Sequence, residues 1–127
     1  VPRRSTEVLA FDDADVRAAL RFMRARATEG IGVEDVLAEV NVSRSTLERK
    51  LHEAIGRTPG AEIRRLRLTH AAKLLVETDI PLVEVSTACG FEYLAHFSAA
   101  FRSAYDATPS GYRKRFRVPR PSRGRDR

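Results

Sequence analysis

The polar residues best suited to chemistry in this sequence lie between residues 43 and 50. Leu47 and Leu51 recur at helical spacing and make one face of a helix apolar. Ser45, Glu48 and Arg49 fall on the opposite face. An arginine can donate two hydrogen bonds to O6 and N7 of guanine, and a glutamate can accept one from N4 of cytosine. The pattern predicts a helix whose outer face contacts base edges; the alternative is an ordinary solvated charged face.

The residues around this face are suited to contact a nucleic-acid backbone. Ser43 is the natural N-cap of the helix, and Arg44 follows it in the first turn. Thr46 and Lys50 lie nearby on the outer side. Hydroxyl groups and basic side chains are common phosphate ligands. We therefore predict phosphate contacts for Ser43, Arg44, Thr46 and Lys50.

Catalytic and metal-binding patterns are missing from the sequence. His52 and His70 have no carboxylate at a paired spacing, and His96 lies on another predicted helix. There is no glycine-rich phosphate loop, HExxH motif or nucleophile elbow. The single cysteine, Cys89, excludes an internal disulfide and is predicted to be a buried packing residue. We expect a protein that is not an enzyme and that uses no metal or cofactor.

The positive charge is concentrated at one end of the chain. The formal net charge is +6, and the segment from residue 113 onwards contains eight basic residues and one acid. A basic tail suits a polyanion, but a solvated end without a partner is an equal alternative. No apolar run is long enough to span a bilayer, and no secretory signal is present. The sequence starts with Val1. We expect a fragment or processed form, located in the cytoplasm with the nucleoid.

Capping residues and apolar periodicity predict an all-α fold of seven helices and no sheet. The helices are predicted to form two helix-turn-helix subdomains joined by a long linker helix. The first subdomain spans residues 12–57, with a recognition helix at about 43–55. The linker helix spans 58–77. The second subdomain spans 78–117, with a recognition helix at about 93–105. Residues 1–11 are predicted as a leader, and residues 118–127 as a disordered basic tail.

An internal repeat indicates the two subdomains. Five positions of the first copy recur 49 residues later: Val33, Val36, Val40, Asn41 and Val42 correspond to Leu82, Val85, Cys89, Gly90 and Phe91. Five more recur 50 residues later: Leu47, Leu51, Ile55, Thr58 and Pro59 correspond to Phe97, Phe101, Tyr105, Thr108 and Pro109. The offset changes within the turn, so the second turn is one residue longer. Each copy is a short helix, a tight turn and a longer helix, which is typical of DNA-binding helix-turn-helix units. A helical adaptor that binds protein is the alternative.

Four motifs resemble the C-terminal DNA-binding domain of AraC/XylS-type regulators. They are IPLVEVS at 80–86, CGF at 89–91, FSAAFR at 97–102 and TPSGYR at 108–113. The resemblance covers residues 16–115. In the first copy, IGVEDVL at 31–37 and SRSTLE at 43–48 look most like the xylose-operon regulators of that family.

The resemblance implies base contacts in both recognition helices. In the first copy they fall on Ser45, Glu48 and Arg49. In the second they fall on four residues of which only His96 forms strong hydrogen bonds: Leu94, Ala95, His96 and Ala99. Leu94 and Ala95 can pack on thymine methyl groups. Tyr93, Ser98 and Arg102 are predicted to contact phosphates.

The resemblance also implies partners. Both recognition helices would enter successive major grooves on one face of double-stranded DNA. RNA polymerase would be a second partner. The full-length protein would carry an N-terminal sensor domain, which in xylose-type regulators responds to a pentose; no such domain is present in this chain. We expect the first copy to dominate sequence discrimination and the second mainly to add affinity.

Overall fold

The computed structural model describes residues 13–117 of the 127-residue chain. Within that range the fold contains seven α-helices and no strand, which confirms the all-α prediction. The helices are α1 (Ala14–Arg26), α2 (Val33–Val40), α3 (Arg44–Ile55), α4 (Pro59–Glu77), α5 (Leu82–Ala88), α6 (Leu94–Tyr105) and α7 (Pro109–Phe116). The predicted leader 1–11 and tail 118–127 lie outside the described residues. None of the helices within 13–117 has the length and apolar character needed to cross a membrane.

Helices α1 to α3 form the first unit around an aliphatic core. Asp13 caps α1 by accepting hydrogen bonds from the backbone N–H groups of Asp15 and Val16, at 2.8 and 3.2 Å. A short 3-10 turn, Ala27–Glu29, continues α1 and ends at Gly30 in the left-handed conformation. The core includes Val36 and Leu47, which are both fully buried. Burying an aliphatic side chain of this size contributes about 1.5–3 kcal/mol, so these contacts fix how α2 and α3 cross.

The turn between α2 and α3 is short because local signals end one helix and start the next. Asn41 adopts φ 58° and donates its N–H to the Leu37 carbonyl, which ends α2. Ser43 then accepts from the backbone N–H of Thr46 at 3.2 Å and begins α3. Short polar side chains suit both positions: asparagine tolerates the left-handed region, and serine is a favoured N-cap.

Helix α4 belongs to both cores. Thr58 caps it by accepting from the Ala61 N–H at 3.1 Å, and Pro59 occupies its first position. Ile63 packs in the core of the first unit, whereas Leu68, Ala71 and Leu75 pack in the second core. The helix has 19 residues, and at about 1.5 Å per residue it extends roughly 28 Å. The two units are therefore built on one continuous rod.

Helices α5 to α7 form the second unit, whose core adds aromatic rings to aliphatic side chains. Phe97 and Phe101 are fully buried, and their ring centroids lie 5.8 Å apart. Tyr105 stacks on Phe101 at 4.4 Å, and Tyr112 of α7 meets the Phe101 ring edge-on at 5.2 Å. These ring contacts fasten α7 against α6. The larger rings occupy the positions that leucines fill in the first unit.

The repeat is visible in the turns, with two differences between its copies. Three residues separate α2 from α3, whereas five separate α5 from α6. The difference is two residues and not the predicted one, because α5 ends at Ala88, one residue before the position that matches the end of α2. At the end of α3, Gly56 adopts φ 74°; the matching position at the end of α6 is Asp106, at φ 57°. The second unit therefore has a longer turn, and a charged residue replaces the glycine that closes the first recognition helix.

Candidate nucleic-acid interface

The outer face of α3 is polar and open. Ser45, Glu48 and Arg49 are all exposed, on the side of the helix opposite the fully buried Leu47 and Leu51. Among the described residues, neither Glu48 nor Arg49 takes part in an ion pair. Their side chains are free to meet hydrogen-bonding groups of a ligand.

The residues flanking this face are partly engaged within the protein. Arg44 forms a salt bridge with Glu34 of α2 at 2.6 Å, on the surface. Ser43 donates from Oγ to Oγ1 of Thr46 at 2.9 Å, so both hydroxyls already have a partner. An exposed ion pair such as Arg44–Glu34 contributes little to stability, so breaking it to free Arg44 for a phosphate would cost little.

Lys50 occupies a different environment from the other predicted phosphate ligands. Its Nζ lies 2.8 Å from Oδ2 of Asp13 and 3.1 Å from Oδ2 of Asp15. These two hydrogen bonds raise the pKa of Lys50, and the hydrogen bond from Lys50 lowers the pKa of Asp13. The lysine therefore ties α3 to the start of α1 instead of reaching outwards.

The outer face of α6 is apolar at its start. Leu94 is 38% exposed and Tyr93 is 57% exposed, and both lie before the buried Phe97. Ala95, His96, Ala99 and Arg102 are also exposed, and Ser98 is half-buried. The rings of Tyr93 and His96 meet edge-on at 5.3 Å. Within the described chain, Tyr93 does not cap the helix through its side chain, unlike Ser43 at the matching position of α3. The two recognition helices thus present chemically different surfaces.

A cleft of about 710 Å³ lies between the two units, next to the outer face of α6. His96 and Ala99 line one side, Gly30 and Ile31 the other, and Arg64 and Arg67 of α4 complete the wall. The sequence prediction treated α4 only as a linker and missed these two arginines. The signal that could have revealed them is the run of Arg64, Arg65 and Arg67 within four consecutive residues.

A buried carboxylate fixes the junction between α3 and α4. Glu62 is 1% exposed, and its Oε1 accepts from Nε of Arg57 at 2.7 Å and Nε of Arg65 at 2.9 Å. Its Oε2 accepts from a terminal nitrogen of Arg65 at 2.8 Å. Burial alone would raise the pKa of Glu62, but the hydrogen bonds and charges of Arg65 and Arg57 outweigh it and lower the pKa below its ordinary value. The cluster stabilises the angle between α3, the first recognition helix, and α4.

Arg113 and Arg117 of the basic C-terminal segment contact residues outside α7. Arg113 donates from Nε to the Leu75 carbonyl at 3.1 Å and from Nη1 to the Ile80 carbonyl at 2.8 Å. It thereby satisfies the carbonyl of Leu75 in the last turn of α4, where carbonyls lack a partner within the helix, and the carbonyl of Ile80 in the loop before α5. Arg117 forms a salt bridge with Asp79. Both arginines connect the α7 end of the chain to residues 75–80, so they are not simply part of a free cationic tail.

The described residues offer no group of three or more His, Cys, Asp or Glu side chains able to hold a metal ion.

Two helix-turn-helix units on one shared helix, each with an exposed second helix, define a double helix-turn-helix DNA-binding domain. Comparison with known proteins agrees with this class. A family model described as a helix-turn-helix domain matches residues 36–115. This match and a 32% identical AraC-type structure, of which the chain covers 99%, show that the chain belongs to the AraC-type helix-turn-helix family of transcription-regulator DNA-binding domains.

Individual relatives support the same assignment. The xylose operon regulatory protein of Escherichia coli (strain K12) is 39% identical over 113 residues, which cover 89% of this chain and 29% of that protein. An AraC-type regulator structure from Chromobacterium violaceum aligns with a TM-score of 0.77 at 32% identity, covering 87% of this chain and 99% of that chain. The DNA-binding domain of AdpA, solved with a target DNA, aligns with a TM-score of 0.77 at 26% identity, covering 84% of this chain and 96% of that chain.

These findings confirm the predicted family, the all-α class and the role as a DNA-binding domain of a transcription regulator. They leave the residue-level contacts and the subdomain boundaries as predictions. The chain spans 29% of the length of the xylose operon regulator that it matches.

Proposed function

We propose that this domain binds double-stranded DNA sequence-specifically by inserting α3 and α6 into successive major grooves on one face of the duplex. The observation that supports this most directly is the pair of exposed second helices held on the single helix α4. An α-helix fits the major groove, and two half-sites on one face of B-DNA lie about one helical turn apart. A rigid connection between the helices is what such binding requires.

The two helices have different tasks in this proposal. Ser45, Glu48 and Arg49 of α3 form hydrogen bonds with bases, and Arg49 recognises a guanine. On α6 the base-facing residues are Leu94, Ala95, His96 and Ala99, which offer mainly apolar contacts. The apolar start of α6 favours thymine methyl groups and shape recognition over hydrogen-bonded readout. The first unit therefore supplies most of the sequence discrimination.

Phosphate contacts hold the domain in register. We assign them to exposed or half-buried side chains that flank the two base-facing surfaces: Ser43, Arg44, Thr46, Tyr93, Ser98 and Arg102. Lys50, which the sequence predicted in this group, is left out because Asp13 and Asp15 already hold its ammonium group. Its role in the proposal is to orient α3 against α1.

The decisive experiment is selection of bound duplexes from a random pool. We expect a motif of two boxes about 10 bp apart, with the stronger base preferences in one box. In titrations, Arg49→Ala should weaken binding by about 1–3 kcal/mol and relax the preference at one base pair of that box. Leu94→Ala should cost less. Arg21→Ala is the matched control, because Arg21 is exposed on α1 and its loss removes the same charge without touching α3.

Three results would contradict the proposal. A single box in the selected pool would exclude paired insertion. A stronger preference in the box assigned to α6 would reverse the division of tasks. No duplex binding at low salt would favour the protein-binding adaptor, since a DNA-binding domain of this kind binds more tightly as the salt concentration falls.

We further propose that the chain is part of a regulator of pentose utilisation genes that works with RNA polymerase in the cytoplasm, at the nucleoid. The support is its similarity to the xylose operon regulatory protein, over the 29% of that protein that the chain covers. The sensor would lie elsewhere in the full-length protein. The full-length regulator is expected to change its operator affinity with D-xylose and not with a hexose; an equal response to both sugars would reject the pentose assignment.

A further inference from the structure

Arg67 lies at the midpoint of the shared helix, between the residues that α4 contributes to the two cores. Ile63, one turn earlier, packs in the first core, and the adjacent Leu68 packs in the second. The Arg67 side chain is half-buried and reaches into the cleft between the units. It therefore lies where the two units come together.

The guanidinium group binds the backbone of the first unit. Nε donates to the Ala27 carbonyl at 2.8 Å, and Nη2 donates to the Ile31 carbonyl at 2.6 Å. These carbonyls lie on either side of the bend at Gly30, between α1 and α2. Because the guanidinium is planar and its donors have a fixed geometry, two such bonds define its orientation and not only its position.

Residues of the α5–α6 turn in the second unit pack against the Arg67 guanidinium group. The ring centroid of Phe91 lies 5.8 Å from Cζ of Arg67. Gly90 adopts φ 93°, and a Cβ atom added to it would lie 3.0 Å from the Ala27 carbonyl oxygen and 3.1 Å from Nε of Arg67. Only glycine lets the backbone of the second turn come this close. Ala27, Arg67 and Gly90 thus join α1, α4 and the α5–α6 turn at one point.

Two-site binding depends on how rigidly the sites are held. Helix α4 sets the distance between the units, but packing on one helix does not by itself define the angle at which each unit lies about that helix. Linking two binding modules raises affinity by about 10²–10⁴ when the geometry lets both engage, and the gain falls when the connection is loose. A contact that prevents tilting would therefore determine which box spacing is bound.

We propose that Arg67, packed against Gly90, is the positioning residue that sets the relative orientation of the two helix-turn-helix units and hence the spacing of the DNA boxes they accept. This inference rests on the proposed function, in which both recognition helices bind one duplex. Arg67 acts through the backbone that it holds and needs no contact with DNA.

The test measures binding affinity for two kinds of duplex. One kind carries both boxes, at the selected spacing or with one base pair removed from or added to the spacer. The other kind carries one box only. Arg67→Met keeps the length of the side chain and removes its donors. Arg67→Lys keeps the charge but not the two-donor geometry. Arg64→Met is the matched control, because Arg64 lines the same cleft and carries the same charge but does not bind Ala27 or Ile31.

We expect Arg67→Met to bind single-box duplexes with an affinity within about twofold of the wild type. Its two-box gain, which is the affinity for a two-box duplex divided by that for a single-box duplex, should fall about tenfold or more and should depend less on spacer length. Arg67→Lys should behave like Arg67→Met, whereas Arg64→Met should keep the spacer preference. An equal loss on every duplex would overturn the proposal, and so would an unchanged spacer preference in both Arg67 variants. A wild-type domain that shows no two-box gain would instead overturn the proposed function.

A second measurement needs no DNA and includes a check that the variants fold. Spin labels on Glu53→Cys of α3 and Ser103→Cys of α6 report the distance between the recognition helices. Both positions are exposed, whereas the native Cys89 is buried and its thiol pKa is raised to about 11, so labelling is selective. With helical content retained by circular dichroism, Arg67→Lys should broaden the distance distribution. A distribution as narrow as in the wild type would overturn the proposal.

Discussion

Glu62→Gln tests whether the buried carboxylate at the α3–α4 junction stabilises the fold through its charge. The substitution preserves the shape of the side chain and its Oε1 acceptor, so the hydrogen bonds from Nε of Arg57 and Nε of Arg65 can remain, in weaker neutral form. The second oxygen becomes an amide NH₂ group that faces the terminal nitrogen of Arg65. Two donors then meet, and the bidentate contact with Arg65 is lost.

The expected loss follows from these contacts. A hydrogen bond to a charged partner contributes about 1.5–3 kcal/mol to stability. The side chains of Arg57 and Arg65 are 40% and 45% exposed, so water can replace part of what they lose. We therefore expect Glu62→Gln to lower the free energy of unfolding by about 1–2 kcal/mol, and the Tm by roughly 3–8 °C for a domain of this size.

The pH dependence separates charge from shape. The folded-state pKa of Glu62 lies below its ordinary value of 4.5, so its charge stabilises the fold above that pH. This contribution declines as the pH falls from 4.5 through the folded-state pKa, below which both the glutamate and the glutamine are neutral. Thermal unfolding followed by circular dichroism should show the full difference between wild type and variant at pH 7 and a small one in acid.

Glu53→Gln is the control, because Glu53 is an exposed glutamate of α3 that bears the same charge. It should leave the Tm nearly unchanged at both pH values. The reasoning is refuted if Glu62→Gln is as stable as the wild type at pH 7. It is also refuted if the Tm difference persists undiminished in acid, because the loss would then come from packing and not from the ion pairs.

Two further predictions concern the second unit. Asp106→Gly should raise the free energy of unfolding, measured by urea denaturation, by about 0.5–1 kcal/mol. The substitution places glycine at a φ of 57° and removes a negative charge from the C-terminal end of α6. A lower urea midpoint than in the wild type would contradict this. The Cys89 thiol is fully buried and its pKa is raised to about 11, so iodoacetamide at pH 8 should label it in denaturant but not in the native domain. Rapid labelling of the native domain would show that the second core opens.

The helices were predictable because their signals are local. A cap such as Ser43 or Thr58 and a stop such as Gly56 each act within one or two turns of the chain, so the residue order alone reveals them. The internal repeat also predicted which helices belong to each helix-turn-helix unit. The 3-10 turn after α1 was not predicted, because its residues also fit the last turn of an α-helix.

The contacts of individual charged residues were not predictable in this way. Lys50 was predicted as a phosphate ligand because it lies close to the outer face of α3, but its partner Asp15 is 35 residues away in the sequence. Arg67 and the Ala27 carbonyl are 40 residues apart. Nothing in the residue order marks such pairs, because they form only once α1, α3 and α4 have packed together.

The shared helix also limits how this domain can change in evolution. A segment that ended after α3 would lose Ile63 from its core, and one that began at α5 would lose Leu68, Ala71 and Leu75. Separating the two units would therefore remove core residues from both. We expect operator specificity to change through the surface residues of α3 and α6, within a scaffold that stays intact.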